Sequence, residues 1–213
     1  LREIVVQLSA AHFNTIFFQV RTRADAVYRS RYEPWSAQLT GTLGRNPGWD
    51  PLEFVIQESH ARGIELHAWF NTMIAKYNSS SPPVSTPRHV ILRHPEWFHQ
   101  TGNEWWFDPG IPAVRAYLVS VAMDIVHNYQ VDGIHFDFLR YPGKPFPDEA
   151  TYKRYGKGLS KDDWRRENVN EFVRAFHDSA MMVNPMLKIG SAPIGIYTNI
   201  SGARGLQGFS ELY

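Results

Sequence analysis

Hydrophobic and polar positions follow two different periods along the chain, and together they predict helices that alternate with strands. Apolar side chains recur at helical spacing over residues 1–12, and β-branched and aromatic residues 15–20 follow as a buried strand. The same order of helix and strand recurs three more times. The later helices are predicted at 50–63, 112–129 and 164–183. The strands after them are predicted at 64–70, at the segment that carries His135 and Asp137, and at 187–194.

This alternation indicates an α/β fold with a parallel sheet, either doubly wound or an eight-stranded barrel. Four strands are too few to close a barrel, and the chain opens on a helix and stops after residues 209–213 without a capping element. We therefore expect an incomplete portion of a TIM-type (β/α)8 barrel, with about four parallel strands, outer helices, and the first and last strands missing. Residues 1–213 are expected to form one domain, with residues 71–112 as a long loop over the C-terminal face.

Composition narrows the possible partners. The formal net charge is +1, which gives no field to attract a polyanion, so we expect no nucleic-acid partner. No apolar run is long enough to insert into a membrane. The chain has no cysteine, so thiolate chemistry is excluded, and the oligomeric state is left open. Aromatic residues make up 14% of the chain, and several lie in Pro/Gly/Ser-rich stretches, where they suit stacking on flat ligands such as sugar rings.

Strand alternation predicts which side chains converge. Residues two apart on a strand share a face, and in a barrel one face points to the axis while the other meets the helices. The apolar sets, which include Phe136 and Phe138, are expected to face the helices. The polar sets are expected to gather toward the axis, and their members are Gln19 and Arg21 on one strand, Glu65, His67, Trp69 and Asn71 on the next, and His135 and Asp137 on the third.

Asp137 is the strongest catalytic candidate, because it ends its strand directly before a loop that contains Arg140 and Tyr141. Parallel-sheet enzymes place their reactive groups at this end of the strands. Trp105 and Trp106 are either loop anchors or sugar platforms.

A series of motifs, in order along nearly the whole chain, resembles the glycosyl-hydrolase-like family 10 domain. The motifs are QVR at 19–21, DAVY at 25–28, EPWS at 33–36, LTG at 39–41, DPL at 50–52, HAWFN at 67–71, HPEW at 94–97, DPG at 108–110 and VDGIHFD at 131–137. The resemblance implies a TIM-type barrel in bacterial secreted, periplasmic or cell-envelope proteins, with glycosidase activity on an oligosaccharide or polysaccharide. One envelope member is similar to an enzyme that cuts peptidoglycan glycan strands stripped of their peptides.

By position, the resemblance implies that Asp137 matches the family's acidic residue at the end of the fourth strand. It also implies a set of cleft residues, which are Gln19, Arg21, His67, Trp69 and Asn71. Many members carry a second acidic residue directly after the first, where this chain has Phe138. Since Phe138 is expected to face the helices, this departure is expected to be tolerable.

Glycoside cleavage normally needs two carboxyl groups, and we assign Asp137 to protonate the leaving oxygen. Its partner is expected to be Glu65, Asp25, Asp108 or, with more weight, an acid outside this chain. His135 is a further catalytic candidate, and no cofactor is expected. The expected substrate-binding residues are Gln19, Arg21, Asp25, His67, Trp69, Asn71, Trp105, Trp106, Asp108, Arg140 and Tyr141.

Two alternatives stay open. His67, His135 and Asp137 have the donor types that suit zinc or manganese, which would make the protein a metal-dependent hydrolase of an ester, amide or N-acetyl group. Without a working partner carboxylate, the domain would instead be a carbohydrate-binding module with no turnover.

Overall fold

A computed structural model describes residues 1–193, so the predicted strand residue Ile194 and residues 209–213 lie outside the described residues. The strands of this part are β1 Thr15–Arg21, β2 Glu65–Asn71, β3 Ile74–Lys76, β4 Phe98–Thr101, β5 Glu104–Phe107, β6 Gly133–Asp137 and β7 Lys188–Ser191. The α-helices are α1 Arg2–Ala10, α2 Ala37–Thr40, α3 Pro51–His60, α4 Val90–Arg93, α5 Pro112–Asn128, α6 Glu149–Tyr155 and α7 Lys161–Val183, with a 3₁₀ turn at Pro95–Trp97.

The main sheet is parallel, with strand order β1-β2-β6-β7 and helices between successive strands. This architecture is a partial TIM-type barrel, as the alternation of elements predicts. Local signals place the helix starts: Asp50 caps α3 by accepting from the backbone N–H groups of Leu52 and Glu53, and Pro51 occupies the first turn. Parallel strands need a long crossover connection, and the helices between successive strands of the main sheet provide it.

The helix-facing side of the sheet is the apolar core. On β2, the side chains of Leu66, Ala68 and Phe70 have no solvent exposure. Phe136 of β6 meets Phe172 and Phe176 of α7 edge to face, with ring centroids 5.2 and 4.8 Å apart. Burial of these rings fixes which face of each strand turns toward the helices, and therefore which face is left for polar side chains.

Arg21 departs from the predicted alternation. A β-bulge between Gln19 and Arg21 shifts the pairing, so Arg21 lies opposite Phe70 and its guanidinium carbon sits 4.7 Å from that ring's centroid. Arg21 is fully buried and forms an ion pair with the equally buried Glu33, with N–O distances of 2.8 Å, and it also donates to the carbonyl oxygens of Asn71 and Thr72. The expectation that it shares a face with Gln19 is wrong.

Residues 71–112, predicted as a loop, contain a small antiparallel sheet with strand order β3-β5-β4. The segment leaves the main sheet at the C-terminal end of β2, where the N–H of Thr72 donates to the carbonyl oxygen of Asp137 at 2.7 Å. It therefore starts at the edge of the sheet that carries the candidate catalytic residue. Among the described residues, no helix combines the length and apolarity needed to cross a membrane.

The buried pair predicts a large asymmetry between two arginine substitutions. Arg21→Met leaves the Glu33 carboxylate buried without its cation, so we expect a loss of roughly 3–5 kcal/mol in the free energy of unfolding, measured by urea denaturation. Arg174→Met is the matched control, because Arg174 pairs with Glu167 at the surface, and it is expected to cost about 0–1 kcal/mol. Equal losses in the two variants would contradict the assigned role of Arg21.

Candidate active site

The C-terminal edge of β2 and β6 brings Asn71 and Asp137 together, because these two residues are direct partners in the parallel register. Asp137 is half-buried, and its Oδ1 accepts the backbone N–H of Phe138 at 2.7 Å. Asn71 is fully buried, and its Oδ1 accepts from Nε2 of Gln19 at 3.3 Å. This edge of the sheet therefore carries the Asp137 carboxylate next to the hydrogen-bonded side-chain amides of Asn71 and Gln19.

Phe138 does not face the helices, which corrects the expectation from alternation. The strand ends at Asp137, and Phe138 takes a left-handed backbone conformation with φ of 51°, so the alternation stops there. Its ring lies 6.2 Å from the ring of Tyr77 and 5.7 Å from that of Trp106, and the guanidinium of Arg140 sits 5.1 Å above it. An aromatic group thus adjoins Asp137.

Tyr77 connects the small sheet to this edge. Its hydroxyl oxygen accepts from Nδ2 of Asn71 at 3.2 Å. Partial burial raises the pKa of Tyr77, and the negative charges of Glu104 and Asp137 raise that pKa further. The phenol is therefore protonated at neutral pH and retains a proton to donate.

Glu65 does not share this edge, and its assignment as a catalytic partner of Asp137 is wrong. It is the first residue of β2, whereas Asn71, opposite Asp137, is the last. At the usual rise per residue the two ends are about 20 Å apart, which exceeds the separation of roughly 5–9.5 Å between paired glycosidase carboxyl groups. Glu65 instead binds Nζ of Lys188 at 2.5 and 2.6 Å, and this hydrogen bonding lowers the pKa of Glu65.

His67 and His135 lie on the axis-facing side at different heights. The ring of Phe17 packs edge-on between them, with centroids 5.1 and 5.0 Å away. Each histidine also lies over a glycine of the neighbouring strand, His67 over Gly133 and His135 over Gly190. Within residues 1–193, no three His, Asp or Glu side chains form a group that could hold a metal ion, so the proposed set of His67, His135 and Asp137 does not assemble.

Four predicted substrate-binding residues are buried and bonded to protein groups. Arg21 pairs with Glu33, as described above, and Asp25 accepts from the Thr22 hydroxyl at 2.8 Å. The remaining two are Asp108, fully buried, which accepts the N–H of Gly110, and Tyr141, also fully buried, which accepts from Asn168. This burial and bonding favour a role in supporting the site's loops, and they make Asp25 and Asp108 less suited than an exposed carboxylate to act as the partner of Asp137.

The three predicted tryptophans differ in exposure. Trp106 is 2% exposed and donates from Nε1 to Glu104 at 2.9 Å, so it anchors the small sheet instead of offering a platform. Trp105 is half-buried and donates to the carbonyl oxygen of Ser79 at 3.3 Å. Trp69 is half-buried between Gln19 and His135 in the sheet register, and its buried Nε1 has no acceptor among the described residues.

Several residues of this edge were not predicted from the sequence: Arg23, Lys76, Tyr77 and Glu104. Arg23 follows the end of β1, a position that signals function in parallel sheets. The other three belong to the small antiparallel sheet and its continuation, and only its folding brings them to the main sheet.

His89 holds Arg23 in place. Its Nδ1 accepts the N–H of Ile91, which caps α4, so Nε2 carries the proton and donates to the carbonyl oxygen of Arg23 at 3.0 Å. Burial lowers the pKa of His89. The neutral ring is therefore the form that can make both of these hydrogen bonds, since an imidazolium could not accept at Nδ1.

Comparisons with known proteins agree with this architecture. The chain matches the family model described as glycosyl hydrolase-like 10 over residues 1–211. It is 37% identical over 213 residues to the glycosyl hydrolase YngK of Bacillus subtilis, covering 94% of this chain and 42% of the relative. It is 34% identical over 218 residues to the glycosyl hydrolase DigH of Escherichia coli K12, covering 94% and 50%. The chain therefore belongs to the glycosyl hydrolase-like 10 family, and it spans about half the length of these curated relatives.

A solved structure is similar in fold. The α-L-fucosidase isoenzyme 2 of Paenibacillus thiaminolyticus superposes with a TM-score of 0.65 at 14% identity, over 90% of this chain and 28% of that chain. At this identity the likeness concerns the fold, and it agrees with the assignment of a partial TIM-type barrel.

The glycines under the histidines give a stability prediction. A Cβ at position 133 would lie 2.6 Å from Nδ1 of His67 and 2.8 Å from the backbone oxygen of Lys188, so Gly133→Ala is expected to destabilise by about 1–3 kcal/mol. A Cβ at position 190 would lie 3.3 Å from Nδ1 of His135, so Gly190→Ala is the milder control. Urea denaturation of both variants checks the order, and an equal or reversed cost would contradict the described packing.

The neutral His89 predicts a pH-dependent stability. Because the native pKa of His89 lies below the unfolded value of about 6.5, its contribution is complete above that pH and is lost as pH falls toward the native pKa. His89→Asn keeps a capping acceptor without the ionisation, so its melting temperature should fall less between pH 7.5 and 5.5 than that of the parent protein. His177→Asn, at an exposed site, is the control and should behave like the parent; a parental decline in His89→Asn would refute the assignment.

Proposed function

We propose that the protein is a glycoside hydrolase of a bacterial cell-wall or related polysaccharide, in which Asp137 protonates the leaving glycosidic oxygen. The observation that carries the proposal is the position of Asp137. It ends a central parallel strand, is half-buried, and is followed directly by Phe138, whose ring lies 6.2 Å from that of Tyr77. Aromatic rings pack against sugar faces, and a carboxyl group beside them can reach a glycosidic oxygen.

Glu104 is this chain's candidate for the second carboxylate in place of Glu65. It is half-buried, is held through Oε2 by the indole N–H of Trp106, and its charge reaches Tyr77 together with that of Asp137. The charges of both carboxylates thus raise the pKa of the same phenol. The family membership of the chain and the names of its relatives support hydrolysis of glycosidic bonds as the reaction class.

A polysaccharide substrate of this kind agrees with a secreted, periplasmic or cell-envelope location, which belongs to the proposal. The metal-dependent alternative is less favoured, because the three side chains it requires lie at different heights of the sheet. The alternative of a carbohydrate-binding module without turnover is distinguished from a glycosidase by the cleavage experiment below.

The test is cleavage of peptide-free peptidoglycan glycan strands by the intact protein, followed by mass spectrometry of the released oligosaccharides. Asp137→Asn removes the transferable proton at nearly constant shape, so kcat is expected to fall by roughly 10²–10⁴-fold while the affinity for the glycan is retained. Asp178→Asn is the matched control, because Asp178 is 76% exposed on α7, and it should leave kcat unchanged.

Three results would contradict the proposal. Unchanged kcat in Asp137→Asn would remove Asp137 from the chemistry. Glycan binding without product release by the parent protein would indicate a binding module. Loss of activity on metal removal, restored by adding the metal, would favour the metal-dependent hydrolase.

A further inference from the structure

Two cationic side chains, Arg23 and Lys76, lie close together near the edge that carries Asp137. Arg23 packs against the ring of Tyr77, the residue that follows Lys76 in the chain. Burial lowers the pKa of Lys76, and the positive charge of Arg23 lowers that pKa further. The guanidinium carbon of Arg23 lies 5.5 Å from the ring centroid of Tyr77. Tyr77 in turn contacts Asn71 and Phe138, the neighbours of Asp137.

Neither cation has a carboxylate partner in the part of the chain that the structure describes. Nζ of Lys76 donates to neutral oxygens, the Asn78 carbonyl at 3.3 Å and the Ser80 hydroxyl at 2.9 Å. Nε of Arg23 is buried and has no acceptor. A buried donor without an acceptor costs free energy, and two adjacent like charges repel each other, so an anion between them would relieve both costs.

The backbone holds both cations in place. The N–H of Arg23 donates to Oδ1 of Asp25 at 3.0 Å, and His89 donates to the carbonyl oxygen of Arg23 from the other side. Lys76 ends β3 and pairs with Trp105 in the small sheet. Asp25 and His89 thus hold the backbone of Arg23 in the position from which its guanidinium reaches Tyr77.

We propose that Arg23 and Lys76 form a subsite for a carboxylate carried by a sugar of the substrate, so that the protein selects an acidic polysaccharide over a neutral one. This inference rests on the proposed function, because the subsite is useful when a glycan lies along the edge beside Asp137. A guanidinium and an ammonium together supply charge-assisted hydrogen bonds to a carboxylate.

The test compares two forms of one ligand in the intact Asp137→Asn protein, which is expected to bind without turnover. The ligand is a peptide-free peptidoglycan oligosaccharide, either with its sugar carboxylates intact or with these carboxylates chemically reduced to alcohols. Calorimetric titration should give an affinity for the carboxylated form higher by about 10- to 100-fold, the range expected for hydrogen bonds to a charged group.

Adding Arg23→Met or Lys76→Met should each reduce the affinity for the carboxylated form by about 10-fold and change that for the reduced form by less than about 2-fold. Arg23→Lys keeps a positive charge and should retain part of the preference. Arg174→Met and Lys153→Met, on α7 and α6, are matched controls and should keep the full preference. Melting temperatures check that every variant is folded.

Equal affinities for the two forms in the Asp137→Asn protein without further substitutions would overturn the subsite and leave glycoside cleavage untouched. Equal losses for both forms in the Arg23 and Lys76 variants would indicate a structural role and overturn it as well, as would the absence of binding to either form. Failure of the proposed function is distinct, because it is seen as no product release by the protein that retains Asp137.

Discussion

The parallel pairing of β2 with β6 is the constraint on which the candidate site depends. Parallel strands all end at the same edge, so the last residues of these two strands, Asn71 and Asp137, must be neighbours. The apolar side chains on the opposite face hold this register, since a shift of one residue would turn Phe70 and Phe136 out of the core. The site's geometry is thus a consequence of hydrophobic burial elsewhere in the same strands.

Buried polar groups then attach the loops to this edge. The guanidinium of Arg21 lies between the loop residue Glu33 and the backbone oxygens of Asn71 and Thr72, so it joins two segments of the chain. Asp25 and His89 do the same for Arg23. Charged groups enclosed in this way hold loops in one arrangement, and a site built on them is largely formed before a ligand arrives.

Much of the fold was predictable from the sequence, because helical and strand periods are local properties. The alternation on β2 and the position of Asp137 at a strand end follow directly from residue spacing. Alternation failed at Arg21, where a bulge changed the register, and at Phe138, where the strand had already ended. The prediction for Glu65 failed for another reason. Alternation indicates the face of the sheet on which a side chain lies but not how far along the strand it lies. The place of Glu65 at the start of its strand was visible in the sequence.

The contribution of residues 72–111 was not predictable, because their antiparallel pairings join positions distant in the chain. Tyr77 reaches Asn71 and Phe138, the neighbours of Asp137, only because that small sheet forms. The most direct test of the account is a crystal structure of the intact Asp137→Asn protein with a bound glycan oligosaccharide. A glycosidic oxygen within about 2.6–3.2 Å of the residue 137 side chain is the predicted result. A glycan bound away from this edge, or a residue 137 side chain turned toward the helices, would contradict it.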